Sequence, residues 1–135
     1  MVKGVFYVSG KEFKEILSEK GKITASAERT LQIKSVTDYI DRHIIETLRL
    51  NRIANALGVS VSYLSHSFKA KTGLTILQYI KLKRLVLTKE YFDAGMTLTD
   101  ASAKAGFEDY RSFYVAYQRE YGVSPSKHAY PFKKY

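Results

Sequence analysis

The amino-acid sequence predicts an all-α fold, with two helix-turn-helix subdomains joined by a linker helix. Proline is confined to Pro125 and Pro131, so the stretch between residues 9 and 124 contains none. Apolar residues recur along most of that stretch with helical spacing rather than with the alternation of a strand. One helix-turn-helix pattern also occurs twice. The predicted fold is therefore a pair of homeodomain-like units with a short N-terminal extension.

The two copies of the pattern span residues 50–75 and 98–124. The offset between them is 48 residues at Gly58 and Gly106, and 49 residues at their last residues, Thr75 and Ser124. One extra residue has therefore entered the turn of the second copy. Two copies are fewer than the roughly three repeats that a solenoid needs to bury its core, so duplicated DNA-binding units fit the pattern better.

The first subdomain is predicted from three helices. An amphipathic helix over about 27–44 precedes the first copy, because apolar residues recur there at three-and-four spacing. A helix over 49–57 follows, and Gly58 ends it because glycine readily takes a positive φ. Ser60 then caps the second helix of the copy, which extends to about residue 72.

The linker helix begins at a capping-box sequence, Thr75-Ile76-Leu77-Gln78, and runs to about residue 92. In the second copy, Thr97 caps the first helix and Gly106 ends it. Asp109 caps the second helix, which extends to about residue 121. Ser124 followed by proline predicts one more short helix.

The predicted domain bounds follow from these elements. Residues 1–25 form an N-terminal extension or linker remnant with a strand over 5–8 and a short helix, too little chain for an independent domain. The remaining segments are the first subdomain over 26–74, the linker helix over 75–93, the second subdomain over 94–130 and a tail over 131–135.

The charge balance favours a polyanionic partner. The 135 residues include 22 Lys plus Arg against 13 Asp plus Glu, for a net charge of +9. Nucleic acid is the leading partner and an anionic membrane surface the second. Because no stretch approaches the ~20 apolar residues of a membrane span, we expect a soluble protein, cytoplasmic and associated with the nucleoid, with no membrane partner.

The sequence lacks the motifs of an enzyme. It has no glycine-rich phosphate loop, no nucleophile elbow and no cysteine. Its three histidines have no acidic partners at ligand spacing. We therefore expect no catalysis, no cofactor and no metal.

The second helix of the first copy has two contrasting faces. One is an apolar stripe predicted to face the core, formed by Val61, Leu64 and Phe68. The other is a polar stripe predicted to face DNA. Its base-facing members are Ser62, Ser65 and His66, followed by Lys69.

The same face of the second copy is found by adding 49 to those positions. It predicts Arg111, Tyr114 and Val115 as base-facing, followed by Gln118 near the DNA backbone. Arg111 is the strongest single reader, because a guanidinium can pair with both O6 and N7 of guanine. Tyr114 and Val115 can pack on a thymine methyl.

Phosphate or backbone contacts are predicted for residues that flank these faces. They are Ser60, Lys69, Lys71, Arg84, Gln118 and Arg119. Each polar or charged side chain in either set also fits an ordinary solvated helix face. The equivalent spacing in both copies favours the functional interpretation.

From about residue 33 to residue 128 the sequence resembles the AraC/XylS family of bacterial transcription regulators. The matching residues are Tyr39-Ile40, His43, Ile53-Ala54, Gly58-Val59-Ser60, Tyr63-Leu64-Ser65, Phe68-Lys69, Gly73, Tyr79-Ile80, Arg84, Gly106-Phe107, Asp109, Phe113, Gly122 and Ser124-Pro125. The resemblance implies two recognition helices in successive major grooves, about 34 Å apart on one side of the duplex. His66 and Val115 depart from the family, which often has arginine there.

Three functions follow as expectations. The first is a sequence-specific regulator of transcription, an activator that reads an asymmetric site in double-stranded DNA and contacts RNA polymerase. The second is a protein-interaction module that kept the fold but lost DNA specificity, and the third, disfavoured, is a basic membrane-surface protein. Two arrangements stay open: a complete regulator, or the DNA-binding part of a longer protein with an effector or dimerisation domain.

Overall fold

A computed structural model describes residues 31–127, and every regular element within that range is helical. The all-α prediction is therefore confirmed. The predicted strand over 5–8, the short helix after it and the tail over 131–135 lie outside the described residues. The helices are α1 (Ile33–Arg42), α2 (Leu50–Leu57), α3 (Val61–Thr72), α4 (Ile76–Asp93), α5 (Leu98–Lys104) and α6 (Tyr110–Tyr121).

The described residues fall into two compact units, 31–83 and 84–127. The boundary lies inside α4, so this helix contributes its first part to one unit and the rest to the other. Each unit contains one helix-turn-helix, α2–α3 in the first and α5–α6 in the second, and the two helices of each pair contact each other. α1 packs on α2 in the first unit.

The start predicted for α1 was wrong, because the helix begins at Ile33 and not near residue 27. Leu31, two residues earlier, is held by α3 instead of by helical hydrogen bonds. Its amide donates to the Tyr63 hydroxyl at 3.3 Å, and its carbonyl accepts from the Lys71 ammonium at 2.8 Å. These contacts hold Leu31 against α3.

The predicted end of α1 at residue 44 was also two residues too late, since the helix ends at Arg42. His43 follows in a non-helical conformation, and its amide donates to the Ile40 carbonyl at 3.1 Å. The His43 ring lies 3.1 Å from the Glu46 carboxylate. This contact joins two residues that directly follow the end of α1.

The turn of the first unit forms as its sequence predicts. Gly58 adopts φ +72°, and its amide donates back to the last turn of α2. Because L side chains rarely adopt this region, glycine is the residue that fits the turn. The Ser60 hydroxyl then accepts from the Tyr63 amide at 3.1 Å and caps α3.

The core of the first unit is assembled around Phe68, which is fully buried. The Phe68 ring meets that of Tyr79 on α4 edge-on, with centroids 5.8 Å apart. Leu64 is equally buried. The other fully or nearly fully buried members are Val36, Ile40, Ile53, Ala54 and Thr37.

A polar contact ties α4 to α1 at the edge of this core. The Tyr79 hydroxyl donates to Asp41 Oδ1 at 3.1 Å, and Lys83 Nζ lies 3.8 Å from the same oxygen. Burial, and then the negative charge of Asp41, raise the pKa of Tyr79 far above its usual value. Tyr79 therefore stays a neutral donor, and its ring is held in the core by a bond to a charged acceptor.

Both hydrogen bonds of the predicted capping box form at the start of α4. The Thr75 amide donates to Gln78 Oε1 at 2.9 Å, and the Gln78 amide donates to Thr75 Oγ1 at 3.0 Å. The helix continues to Asp93, one residue beyond its predicted end. Gly95 follows with φ +111°.

The second unit repeats the plan of the first with a longer turn. The Thr97 hydroxyl caps α5 by accepting from the Asp100 amide at 3.1 Å, and Asp109 Oδ1 caps α6 by accepting from the Ser112 amide at 2.7 Å. One residue lies between Gly58 and the cap at Ser60, whereas two lie between Gly106 and the cap at Asp109. The extra residue of the second copy therefore lies in this turn.

The core of the second unit depends on aromatic rings. Phe107 packs on Phe113 at 5.4 Å between centroids, Phe113 on Tyr117 at 5.8 Å, and Tyr117 on Tyr121 at 4.5 Å. The facing helix α5 contributes small buried side chains, which leave room for these rings. They are Ala101 and Ser102, followed after the helix by Ala105.

We predict that Tyr79→Phe lowers the free energy of unfolding by about 1–2 kcal/mol, because it removes a hydrogen bond to a charged acceptor. Tyr110→Phe is the matched control, since it removes an exposed tyrosine hydroxyl on α6. Urea unfolding of the full chain without DNA measures both. Equal stability of Tyr79→Phe and the parent protein would contradict the role of the Tyr79 hydroxyl.

Candidate nucleic-acid interface

The candidate site of the first unit is the face of α3 that points away from the core. Leu64 and Phe68 are fully buried, which fixes the rotation of the helix about its own axis. Ser62 and His66 are consequently exposed, and Ser65 is half-buried beside them. The three predicted base-facing residues of this unit therefore share one outward face.

Val61 was wrongly assigned to the apolar stripe that faces the core. It is the first residue of α3, and 39% of its surface is exposed. Residues 64 and 68 on the same stripe lie one and two turns further along, over the core. The first turn extends past that core, so helical spacing alone could not show that position 61 is uncovered.

The candidate site of the second unit is the corresponding face of α6. Phe113 and Tyr117 turn to the core. Arg111 and Val115 are exposed, and Tyr114 is half-buried. This face carries a guanidinium, a phenol and an aliphatic side chain, whereas the α3 face carries two hydroxyls and an imidazole.

The predicted phosphate contacts differ in how free they are to reach a ligand. Lys69 on α3 and the pair Gln118 and Arg119 on α6 are exposed. Ser60 is exposed too, but its hydroxyl caps α3. These positions lie on or next to the two recognition faces.

Two other predicted phosphate contacts are half-buried within their units. Lys71 is half-buried, and its ammonium donates to the Leu31 carbonyl. Arg84 is half-buried on α4, where burial lowers its pKa and the charge of Glu108 opposes that shift. A phosphate contact by either residue stays a prediction.

The start of α6 has a distinct electrostatic character. The Ser112 amide donates to the Asp109 carboxylate, and this hydrogen bond, aided by the charge of Arg111, holds the pKa of Asp109 below its usual value. A carboxylate at a helix N-terminus is also favoured by the helix dipole. Near the other end of α6, burial raises the pKa of Glu120.

Sequence reasoning missed the exposure of Tyr110 at the first position of α6. Its ring lies 5.4 Å from Phe113 and 6.5 Å from Tyr114 between centroids, and 37% of its surface is exposed. The duplication contained the signal, since Tyr110 lies 49 residues after Val61.

Neither a metal-binding cluster nor a membrane-spanning helix occurs among the described residues. Within residues 31–127, no three His, Cys, Asp or Glu side chains lie close enough together to hold a metal ion. In the same range, no helix combines the length and apolar character needed to cross a membrane.

Comparisons with known proteins agree with this architecture. A family model described as a helix-turn-helix domain matches residues 53–129. The probable transcriptional regulator LumQ of Photobacterium leiognathi is 27% identical over 99 residues, which are 73% of this chain and 40% of LumQ. The regulatory protein SoxS of Salmonella typhimurium is 28% identical over 95 residues, which are 70% of this chain and 89% of SoxS.

A solved structure shows the same fold. It is a protein of unknown function from Listeria innocua, with a TM-score of 0.67 and 25% sequence identity. The match covers 73% of this chain and 95% of that one.

The two helix-turn-helix units and these matches define the class of the protein as a DNA-binding domain of transcription regulators. The chain belongs to the AraC/XylS family of helix-turn-helix domains. It spans less than half the length of LumQ but most of SoxS.

We predict that Asp109→Asn removes an acid-sensitive part of the stability. The folded pKa of Asp109 lies below its ordinary 3.8, so the charged cap stabilises the fold above that pH, and this stabilisation is lost as the pH falls through the folded pKa. The unfolding free energies of parent and variant should therefore converge once the pH has fallen below the folded pKa of Asp109. Chemical unfolding at a series of pH values measures the difference.

Asp109→Ser provides the control, because serine caps a helix without carrying a charge. Its difference from the parent protein should shrink over the same pH range. A difference that stays constant from neutral pH to acid in both variants would contradict the assignment.

Proposed function

We propose that this protein is a sequence-specific regulator of transcription that reads an asymmetric double-stranded DNA site with α3 and α6. One observation carries the proposal. The second helix of both helix-turn-helix units has its apolar face buried in the unit and its opposite face exposed at equivalent positions. In helix-turn-helix proteins this second helix enters the major groove and its N-terminal residues contact base edges.

The α6 face supplies the sharper reading of sequence. Arg111 is exposed one residue into the helix and can donate two parallel hydrogen bonds to guanine O6 and N7. A good bidentate contact of this kind discriminates by about 1–3 kcal/mol. Val115 and Tyr114 add apolar surface beside it, which favours a thymine methyl nearby.

The α3 face reads less sharply. Ser62 and Ser65 offer hydroxyls that both donate and accept, so each is compatible with more than one base. A neutral imidazole such as that of His66 has one donor and one acceptor nitrogen, and the tautomer determines which nitrogen has which role. The two halves of the site should therefore differ in how strictly their bases are specified.

Non-specific affinity comes from the positive charge. The net charge is +9, and the exposed cations Lys69 and Arg119 flank the two recognition faces. Neutralised phosphates release counterions, which makes such binding steeply dependent on salt. Phosphate contacts position the helices, and base contacts select the site.

The proposal extends to activation of transcription with RNA polymerase as a second partner, supported by the family membership. Transcription in vitro with purified polymerase tests it, on templates with and without the preferred site. More transcript in the presence of the protein supports activation. Less transcript would identify repression.

A protein-interaction module on the same fold is the second candidate. It is favoured by Val115, an aliphatic side chain 43% exposed in the middle of the α6 face. An apolar side chain there suits a protein partner as well as a base methyl. Loss of all preference among DNA sequences would favour this candidate.

We predict that Arg111→Ala lowers affinity for the preferred duplex by about tenfold or more, because a bidentate contact with guanine is lost. Affinity for unrelated duplexes should fall much less, so the preference itself decreases. Competition binding with a panel of labelled duplexes measures both quantities.

Arg119→Ala is the matched control, because it removes the same side chain from the same helix at a position assigned to the backbone. It should weaken binding to all duplexes by a similar factor. If Arg111→Ala behaves in this uniform way, Arg111 does not read a base.

We also predict that Lys69→Gln reduces the slope of log affinity against log salt concentration by about 0.9, the value for one phosphate contact. Lys34→Gln should leave the slope unchanged, because this exposed lysine pairs with Asp38 on α1 at 2.8 Å. Titrations between low and physiological salt give the slopes. Equal slopes for Lys69→Gln and the parent protein would exclude a phosphate contact by Lys69.

A further inference from the structure

The first residue of both recognition helices is a large apolar residue with more than a third of its surface exposed. Val61 opens α3 with 39% of its surface exposed, and Tyr110 opens α6 with 37% exposed. Each follows its N-cap directly, Ser60 in one unit and Asp109 in the other. The two positions are equivalent in the duplication, so the same uncovered feature occurs twice.

The other exposed large apolar residues of the described part do not share this equivalence. Leu77 lies on α4 and Ile45 in the segment after α1, so neither belongs to a recognition helix. Tyr63 lies on α3, but its hydroxyl bonds to Leu31. Val115 lies on the α6 face already assigned to bases, and its counterpart on α3 is the polar His66.

Both side chains are held in place before any ligand arrives. Valine has essentially one χ1 rotamer in a helix, so Val61 presents its methyl groups in a fixed direction. The ring of Tyr110 is fixed by its contacts with Phe113 and Tyr114. Little conformational freedom is therefore lost when either surface is covered.

We propose that Val61 and Tyr110 each read the C5-methyl group of a thymine, so that the DNA site has a thymine at the equivalent place in both halves. This inference rests on the proposed function and adds specificity residues to it. The N-terminal residues of a recognition helix are those that meet base edges. The thymine methyl is the apolar group that the edges of the bases present in the major groove, and the side chain of Val61 has no hydrogen-bonding group with which to read any other feature.

The two readers differ in what they add beyond the methyl contact. Val61 can only cover a methyl group, whereas Tyr110 also has a hydroxyl at its tip. Tyr110 precedes Arg111, the proposed guanine reader, so the α6 half should hold a thymine close to that guanine. The α3 half should hold its thymine beside weakly specified bases.

Replacement of single thymines by deoxyuridine tests the proposal, because uracil keeps the hydrogen-bonding edge and lacks only the methyl. The preferred duplex is first selected from random sequences with the full chain, and each thymine is then replaced in turn. At least one replacement in each half should weaken binding about fourfold, the effect of one methyl-sized group returned to water.

The variants assign each thymine to its reader. In Val61→Ser one deoxyuridine effect in the α3 half should disappear, and in Tyr110→Ser one in the α6 half, while any methyl contact of Val115 should remain. Leu77→Ala should keep both effects, because it removes a side chain that is more exposed and lies on neither recognition helix. The deoxyuridine scan of the parent protein needs no variant and stands even if a substitution unfolds the chain.

The outcomes separate this inference from the function on which it rests. A preferred duplex in which no deoxyuridine weakens binding, or one with no thymine, overturns the methyl-reading proposal alone. Deoxyuridine effects that persist in both serine variants overturn the assignment to Val61 and Tyr110. A selection that enriches no duplex overturns the proposed function itself.

Discussion

The burial of one face of each recognition helix is the constraint on which the rest of this structure depends. Phe68 in the first unit and Phe113 in the second are almost completely enclosed. The directions of the side chains around a helix are fixed relative to one another, so burial of these rings determines which residues face outward. Because each unit has its own aromatic anchor, its recognition face is set within that unit. Core packing therefore determines which positions are exposed as candidate base contacts, whatever side chains occupy them.

The two units bury one face of their recognition helix with different kinds of core side chains. The first combines aliphatic residues with the edge-on pair of Phe68 and Tyr79, and α1 covers its α2. The second relies on a series of rings along α6 packed beside small residues from α5. The exposed faces also differ: that of α3 is polar, whereas that of α6 consists of an arginine, a tyrosine and a valine. Duplication preserved the geometry, and substitution made the two surfaces chemically unequal.

Local signals in the sequence were sufficient for most of the fold. The caps at Ser60, Thr75 and Asp109 are visible in the sequence because a capping side chain bonds an amide only three residues away. The start of α1 was not visible, because Leu31 is held by partners 32 and 40 residues distant in sequence. Val61 was misplaced for a related reason: helical spacing gives the direction of a side chain but not how far the core extends beneath it. The site residues themselves stay a prediction, since geometry brings them to a surface without showing what they bind.

We propose that α3 and α6 read DNA unequally. The base preference at each position of the duplexes that the full chain selects from random sequences tests this inequality. We expect a non-palindromic site with a strictly specified half that contains a guanine and a more loosely specified second half. A palindromic site with two equally specified halves, or no enriched sequence, would contradict it.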